Sequence, residues 1–334
     1  MESEGTDAAQ AEIETEHNLK SIGSAEVGTG SVPVVDMSLD DVTISSSMLT
    51  AAAEVGFFTL LNHGVSEEAI EEAFGASARF FAQPKEAKEA QAPWRRDMNS
   101  GYEYFAQVRP STGLADQKES IQITAREGAM DIGWPSSEGF EPAARTLLSQ
   151  AHTLAARVLS LLEPAACPHL EPGTLVKSHN LWSPGGQCTL RMLHYPPIDA
   201  RAPESMATGY WRAGPHTDWC CVTLLFQRKG EAGLECAPNP KAGGTGGWLK
   251  VDPVPGGICV NIGDMLMRWS NKSLLSNLHR VRMPTQVGAT PPRPRYSIAF
   301  FAQADKAAVI KCDGHEDTTA GEYILGRVRS NFVN

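Results

Sequence analysis

Pro215-His216-Thr217-Asp218-Trp219-Cys220-Cys221-Val222-Thr223-Leu224-Leu225 is the stretch on which the reading of this chain turns. It opens on a His-x-Asp triplet and runs into β-branched and apolar residues, Val222 to Phe226, with the composition of a strand. Side chains on a strand repeat every two residues, so a triplet read as strand puts His216 and Asp218 on one face. An imidazole and a carboxylate side by side supply two ligands for a metal ion. A second histidine arriving from elsewhere would complete three ligands on one side of an octahedral ion and leave the other side open. Triplets of this kind are common by chance, so the case rests on what lies downstream.

Downstream, Val260-Asn261-Ile262-Gly263-Asp264 reads as a strand passing into a Gly-Asp turn, followed by Trp269-Ser270-Asn271. His279, in Ser276-Asn277-Leu278-His279-Arg280-Val281, falls in another strand. The separation from His216 leaves room for two or three intervening strands and for the chain to return to the ion. In Pro294-Arg295-Tyr296-Ser297-Ile298-Ala299-Phe300-Phe301, a period of two places Arg295, Ser297, Ala299 and Phe301 on one face. A guanidinium with a hydroxyl two residues away can grip a carboxylate by a bidentate pair and one further donor. A metal triad and a carboxylate clamp on neighbouring strands imply an acidic co-substrate between them.

The rest of the chain sets the frame. Its 334 residues carry a formal net charge of -10, which argues against a nucleic-acid partner. Seven cysteines form no Cys-x-x-Cys pair, so neither a disulfide framework nor a structural zinc site is expected. Buried free thiols suit a reducing, cytoplasmic setting. The acidic N-terminus does not read as a signal peptide, and no stretch approaches the length of an apolar membrane span. Residues 1–30 read as a flexible tail. A strand at Val32 to Met37, a helix from Ser45 to Glu54, a strand from Gly56 ending in a turn at His63-Gly64, and a helix capped by Ser66 follow. His63 reads as a structural turn residue. Residues 85–89 read as a short helix, and Asn99 to Ala115 as a long aromatic loop of the kind that forms lids. Phe140 to Leu162 has the apolar spacing of one long packing helix. From Cys188 onward short strands alternate with Gly/Pro loops, which indicates a sandwich or barrel. The Gly-rich stretch 238–247 matches no phosphate-binding fingerprint and reads as a hairpin connection.

In order, His216-x-Asp218, His279 and Arg295-x-Ser297, with Leu193-His194-Tyr195-Pro196 and Asn261-Ile262-Gly263-Asp264, resemble the Fe(II)/2-oxoglutarate-dependent dioxygenases of the isopenicillin N synthase-like group. Pro33-Val34-Val35-Asp36, Gly56-Phe57-Phe58 and Asn62-His63-Gly64 resemble that group's first domain. The resemblance spans about residues 31–301 and is nearest the fungal thymine-hydroxylase-like branch. It implies a mainly β fold with flanking helices and a double-stranded β-helix, or jelly-roll, core. Residues 31–165 would form an N-terminal α/β region, and 166–334 the catalytic core with a C-terminal extension. His216, Asp218 and His279 would hold Fe(II), while Arg295, Ser297 and Tyr195 would hold 2-oxoglutarate. With O2, the co-substrate would become succinate and CO2 as a small-molecule substrate is hydroxylated or desaturated. Arg191, Trp219 and Phe301 are candidates for substrate contacts, each balanced by a packing role.

Two departures bear on specificity. Cys188 stands where the thymine-hydroxylase-like enzymes carry an asparagine that meets the base, and Trp219 stands where they carry tyrosine. A missing amide leaves base hydrogen bonds unmade, at about 1–3 kcal/mol per unsatisfied group, so thymine is not the expected substrate. The chain is expected to act as a monomer, without nucleic-acid or membrane partners. The alternatives are a same-fold Fe(II) oxidase or cyclase that does not use 2-oxoglutarate, and a catalytically silent jelly-roll binding protein. The identity of the substrate is not legible in these residues.

Overall fold

The structure, a computed structural model, describes residues 31–108, 114–131, 133–197, 211–237, 247–283 and 293–331. The expected tail over 1–30, residues 109–113 of the expected lid, and 238–246 of the Gly-rich connection lie outside them. In chain order the elements are β1 (Val34–Asp36), α1 (Asp41–Glu54), β2 (Phe57–Leu61), α2 (Glu67–Phe81), α3 (Lys85–Gln91), β3 (Gly101–Tyr104) and β4 (Glu119–Thr124). Next come α4 (Phe140–Ala166), α5 (Thr174–Lys177), β5 (Thr189–Tyr195), β6 (Ala213–His216), β7 (Val222–Gln227), β8 (Leu234–Cys236) and β9 (Leu249–Lys250). The chain finishes with β10 (Ile258–Ile262), α6 (Asp264–Trp269), β11 (His279–Val281), β12 (Arg295–Ala302), β13 (Val309–Ile310), β14 (Thr318–Thr319) and α7 (Ala320–Asn331).

Local chemistry explains the helix starts. Asp40 caps α1 by accepting from the Thr43 amide, and Ser66 caps α2 by accepting from the Ala69 amide. Glu67 and Glu68 follow in the first turn of α2, where carboxylates meet the positive end of the helix dipole. In α4, Leu147, Leu148, Ala151, Leu154, Ala155, Val158 and Leu162 recur at helical spacing and are buried. That helix continues past Leu162 to Ala166.

The body is mainly sheet. Eight strands run in the order β1-β2-β10-β7-β12-β5-β4-β3, and four more in the order β6-β11-β8-β9. Strands from both sides of residue 165 therefore share the larger sheet. Alternation on β12 shows how this sheet divides the molecule. Ile298, Phe300 and Ala302 join the main core with α4, while Ala299 and Phe301 belong to a second cluster with Leu234, Cys236 and Val281 of the smaller sheet. One face of the large sheet is thus covered by helices, and the other turns toward the smaller sheet across a cavity.

Several expectations change. Gly101 to Tyr104 is a strand paired with β4 rather than part of a lid, because its neighbours complete the sheet edge. The Gly263-Asp264 turn leads directly into α6. Among the described residues four strands, β7 to β10, lie between His216 and His279, rather than two or three. All seven cysteines are free and buried. No helix among the described residues is long and apolar enough to cross a membrane. His63 takes its expected place in a turn, its Nδ1 accepting from the Val65 amide at 3.1 Å.

Candidate metal centre and active site

His216 is the last residue of β6, and Asp218 lies in the connection that leaves the small sheet for β7 of the large one. The triplet is therefore not one strand. Its two side chains converge because the backbone bends between sheets. His279 opens β11 and stands directly opposite His216 in the antiparallel pairing. Nε2 of His216 lies 3.8 Å, and Nε2 of His279 3.6 Å, from Oδ1 of Asp218. One ligand atom from each of these residues falls within 4.8 Å of the others, as a common ion requires.

The surrounding atoms orient each donor. Nδ1 of His216 faces the Gly214 carbonyl at 2.7 Å, and Nδ1 of His279 faces the Asn277 carbonyl at 3.2 Å. An Nδ1–H donated to each carbonyl leaves the Nε2 lone pairs for a metal. Asp218 accepts at Oδ2 from Thr223 Oγ1 at 2.6 Å and from Asn261 Nδ2 at 2.9 Å, so Oδ1 is the oxygen turned to the imidazoles. Phe57 meets the His279 ring edge-on, with centroids 5.5 Å apart. Two imidazoles and one carboxylate, open to a cavity, fit a divalent first-row ion such as Fe(II).

The bend is held from behind. The Asp264 amide donates to the Asp218 carbonyl at 2.7 Å, and the Gly263 amide to the Cys221 carbonyl at 3.0 Å. A Cβ on Gly263 would fall 2.1 Å from the Cys220 carbonyl oxygen, so only glycine permits this approach. Asp264 also takes Thr217 Oγ1 at 2.9 Å and Arg327 Nη2 at 2.6 Å. Arg327, on α7 and 1% exposed, sets its guanidinium 5.7 Å from the Trp219 ring. The C-terminal helix thus reaches the connection that carries Asp218. Sequence reasoning missed Thr223, Asn261, Asp264 and Arg327. Asn261-Ile262-Gly263-Asp264 was visible as a motif, but a hydrogen bond across sheets leaves no spacing signal.

All nine candidate residues line one cavity of about 1500 Å³. Arg295 and Ser297 are on β12 of the large sheet, across the cavity from the His pair rather than on strands neighbouring it. Arg295 is buried. Its Nε donates to the Glu231 carbonyl at 2.9 Å, Nη1 to Ser297 Oγ at 3.3 Å and Nη2 to Gln227 Oε1 at 3.3 Å. The ring of Tyr195, its cross-strand partner, lies 4.9 Å from the guanidinium. Arg212, also buried, approaches the same ring at 5.8 Å, and burial with the nearby Arg295 pushes its guanidinium down to about 10. Arg212 was not anticipated. It adds a second cation beside the expected carboxylate grip.

At the substrate side, Arg191 pairs through Nη2 with Glu103, and Trp219 and Phe301 present rings to the same space. Cys188 departs from expectation. It is buried in the main core, on the sheet face away from the cavity, and its neighbour Gln187 carries an amide to the cavity wall instead. Cys188 therefore leaves no base contact unmade, because alternation at this edge turns its side chain toward α4.

Comparison with known proteins accords with this geometry. Residues 186–304 match the model of the 2OG-Fe(II) oxygenase superfamily, and residues 32–138 match that described as non-haem dioxygenase in morphine synthesis N-terminal. The chain is 32% identical to the 2-oxoglutarate-Fe(II) type oxidoreductase hxnY of Emericella nidulans over 277 residues, covering 77% of this chain and 73% of that protein. It is 30% identical to a 2-oxoglutarate-dependent dioxygenase of Didymella fabae, covering 85% of this chain and 88% of that protein. Among solved structures, the full-length thymine-7-hydroxylase of Neurospora crassa in complex with alpha-KG and thymine superposes with a TM-score of 0.77 at 25% identity, covering 92% of this chain and 100% of that one.

Proposed function

The chain belongs to the 2OG-Fe(II) oxygenase superfamily, and on that premise we propose that His216, Asp218 and His279 hold Fe(II) while Arg295 and Ser297 hold the distal carboxylate of 2-oxoglutarate. As a member of that family it is an Fe(II)- and 2-oxoglutarate-dependent oxidoreductase. The two sheets form a double-stranded β-helix around the cavity, and residues 31–165 frame it as an N-terminal region. The observation that carries the reading is the convergence of Nε2, Oδ1 and Nε2 opposite a buried arginine that has no carboxylate partner among the described residues.

Each protein group has a definable task. Gly214 and Asn277 carbonyls fix the tautomer and the aim of the two imidazoles. Thr223 and Asn261 hold Asp218 in one rotamer. Arg295 presents a guanidinium stiffened by three hydrogen bonds, so little freedom is lost when it grips a carboxylate. Tyr195 packs against its flat face, and Arg212 adds charge behind. Bound Fe(II) supplies O2 activation coupled to decarboxylation of 2-oxoglutarate to succinate and CO2. Trp219, Phe301 and Leu193 exclude water from the reacting region and orient the substrate, which is hydroxylated or desaturated. The protein works as a cytoplasmic monomer on a small molecule, without nucleic acid.

The test is succinate release on admitting air to anaerobic protein loaded with Fe(II), 2-oxoglutarate and a small-molecule library. His216→Ala is expected to abolish Fe(II) binding and succinate together. Arg295→Ala is expected to keep Fe(II) binding and weaken 2-oxoglutarate by about 10²–10³-fold, the usual loss when a buried charge pair is truncated. Fe(II) retained by the His216 variant would overturn the assignment.

A further inference from the structure

On β12 the proposed clamp occupies only part of the cavity wall. Arg295 and Ser297 lie at one end. Phe301 stands opposite Thr223, whose hydroxyl holds Asp218. Beyond Phe301 the same face continues through Gln303, with Gln187, Arg126 and Lys306 beside it. From Phe301 to this group is about two residues along the strand and two strand spacings across, roughly 12 Å.

Arg295 apart, three other cations of the cavity wall already hold carboxylates. Lys85 pairs with Glu89, Lys118 with Asp116 and Arg191 with Glu103. Arg191, an obvious anion ligand, is thus already neutralised. Arg126 and Lys306 have no carboxylate within 4.0 Å among the described residues. Arg126 is 6% exposed, donates Nη2 to the Met98 carbonyl at 2.7 Å and to that of Asp97 at 3.4 Å, and leaves Nε without a partner. Burial holds its guanidinium below the ordinary range, against the pull of Asp97. Burial and the charge of Arg126 do the same to the Lys306 ammonium, again against Asp97. Two neighbouring cations, one buried and incompletely bonded, facing a cavity from one end, form a receptor for an anionic oxygen group.

We propose that Arg126 and Lys306 bind the carboxylate of the prime substrate, whose oxidised carbon lies at the metal near Phe301. The substrate class is an extended or two-ring organic acid. A neutral molecule would leave the two cations with only Asp97, beyond ion-pair distance, to offset them. This proposal rests on the function proposed above, since it takes the metal as the reacting end.

The test uses anaerobic protein loaded with Fe(II) and saturating 2-oxoglutarate, so that Arg295 is occupied. The probes are naphthalene-2-carboxylate, the matching carboxamide and inorganic phosphate, titrated at constant ionic strength and read by tryptophan fluorescence, since Trp94 and Trp219 line the cavity. The acid is expected to bind about tenfold or more tightly than the amide, the factor given by charge-assisted hydrogen bonds. Arg126→Gln and Lys306→Gln should each reduce that ratio severalfold, with Lys306→Gln, at an exposed position, guarding against misfolding. Equal binding of acid and amide, binding of neither, a ratio unchanged in Lys306→Gln, or phosphate displacing the acid without any loss in the variants would overturn the proposal. Affinity for 2-oxoglutarate, measured separately in the wild type, reports on the function itself. If that affinity is absent the function fails, and if it is present without acid preference only this inference fails.

Discussion

Two buried polar clusters lie on opposite sides of the large sheet, one packed on its helix-covered face and one held by the small sheet across the cavity, and they differ in closure. On the helix-covered face, Glu119 of β4 accepts from Lys88 Nζ at 2.6 Å, from His194 Nδ1 at 2.7 Å and from the Tyr102 hydroxyl. Lys88 also donates to the Phe81 carbonyl, and His194 stacks on Tyr296 with centroids 4.6 Å apart. Both carboxylate oxygens are occupied, the charge is matched, and Glu119, Lys88 and His194 all stand clear of the cavity lining. Across the cavity, on the small sheet and its connection to β7, His216, Asp218 and His279 are each fastened from behind, yet all three turn one donor atom toward open space. Burial and titratable residues are common to both. What separates an internal strut from a binding centre is whether the last valences point inward at partners or outward at a cavity.

Substitution can test that contrast. The largest effect is expected at the closed cluster. Glu119→Leu strands the Lys88 ammonium in the interior and should cost about 3–5 kcal/mol in urea unfolding, while Fe(II) affinity of the folded protein stays near that of the wild type. Asn261→Ala should do the reverse. Losing one of the two bonds that orient Asp218 is expected to weaken Fe(II) by about 10–100-fold with a much smaller change in stability. A stability loss at Asn261 with unchanged metal affinity would collapse the distinction between the clusters.

The smallest effect is in acid. Burial raises the Glu119 carboxyl, but the bonds from His194, Lys88 and Tyr102 outweigh it and hold the group below the usual carboxylate range. A depressed folded pKa means that its contribution to stability is present above the unfolded value and is lost as pH falls through the folded one. Stability of the wild type should therefore drop below the ordinary glutamate range by more than that of Glu119→Gln, as measured by urea midpoints from neutral to acid pH. Parallel curves would show that Glu119 carries no linked proton.

Much of this molecule was legible in one dimension. Period-two alternation along Arg295 to Phe301 set which side chains face the cavity, and helical spacing from Leu147 to Leu162 marked the packing helix. Both depend on local geometry alone. Reading Gly101 to Tyr104 as a loop failed because pairing with β4, not composition, makes it a strand. Reading Cys188 as a pocket residue failed because the start of β5 decides which way alternate residues point.

The residues proposed as metal donors and as the carboxylate grip, and their order, could be picked out along the chain, because that choice follows from side-chain chemistry and from repeats of a few residues. That His216 and Asp218 meet across a bend held by Gly263, Asp264 and Arg327, rather than along a strand, came from contacts in three dimensions. So did the pairing of Arg191 with Glu103, while Arg126 has no carboxylate within 4.0 Å among the described residues. Those outcomes depend on residues far apart in the chain, and distance along a sequence carries no record of charge balance or of approach in space.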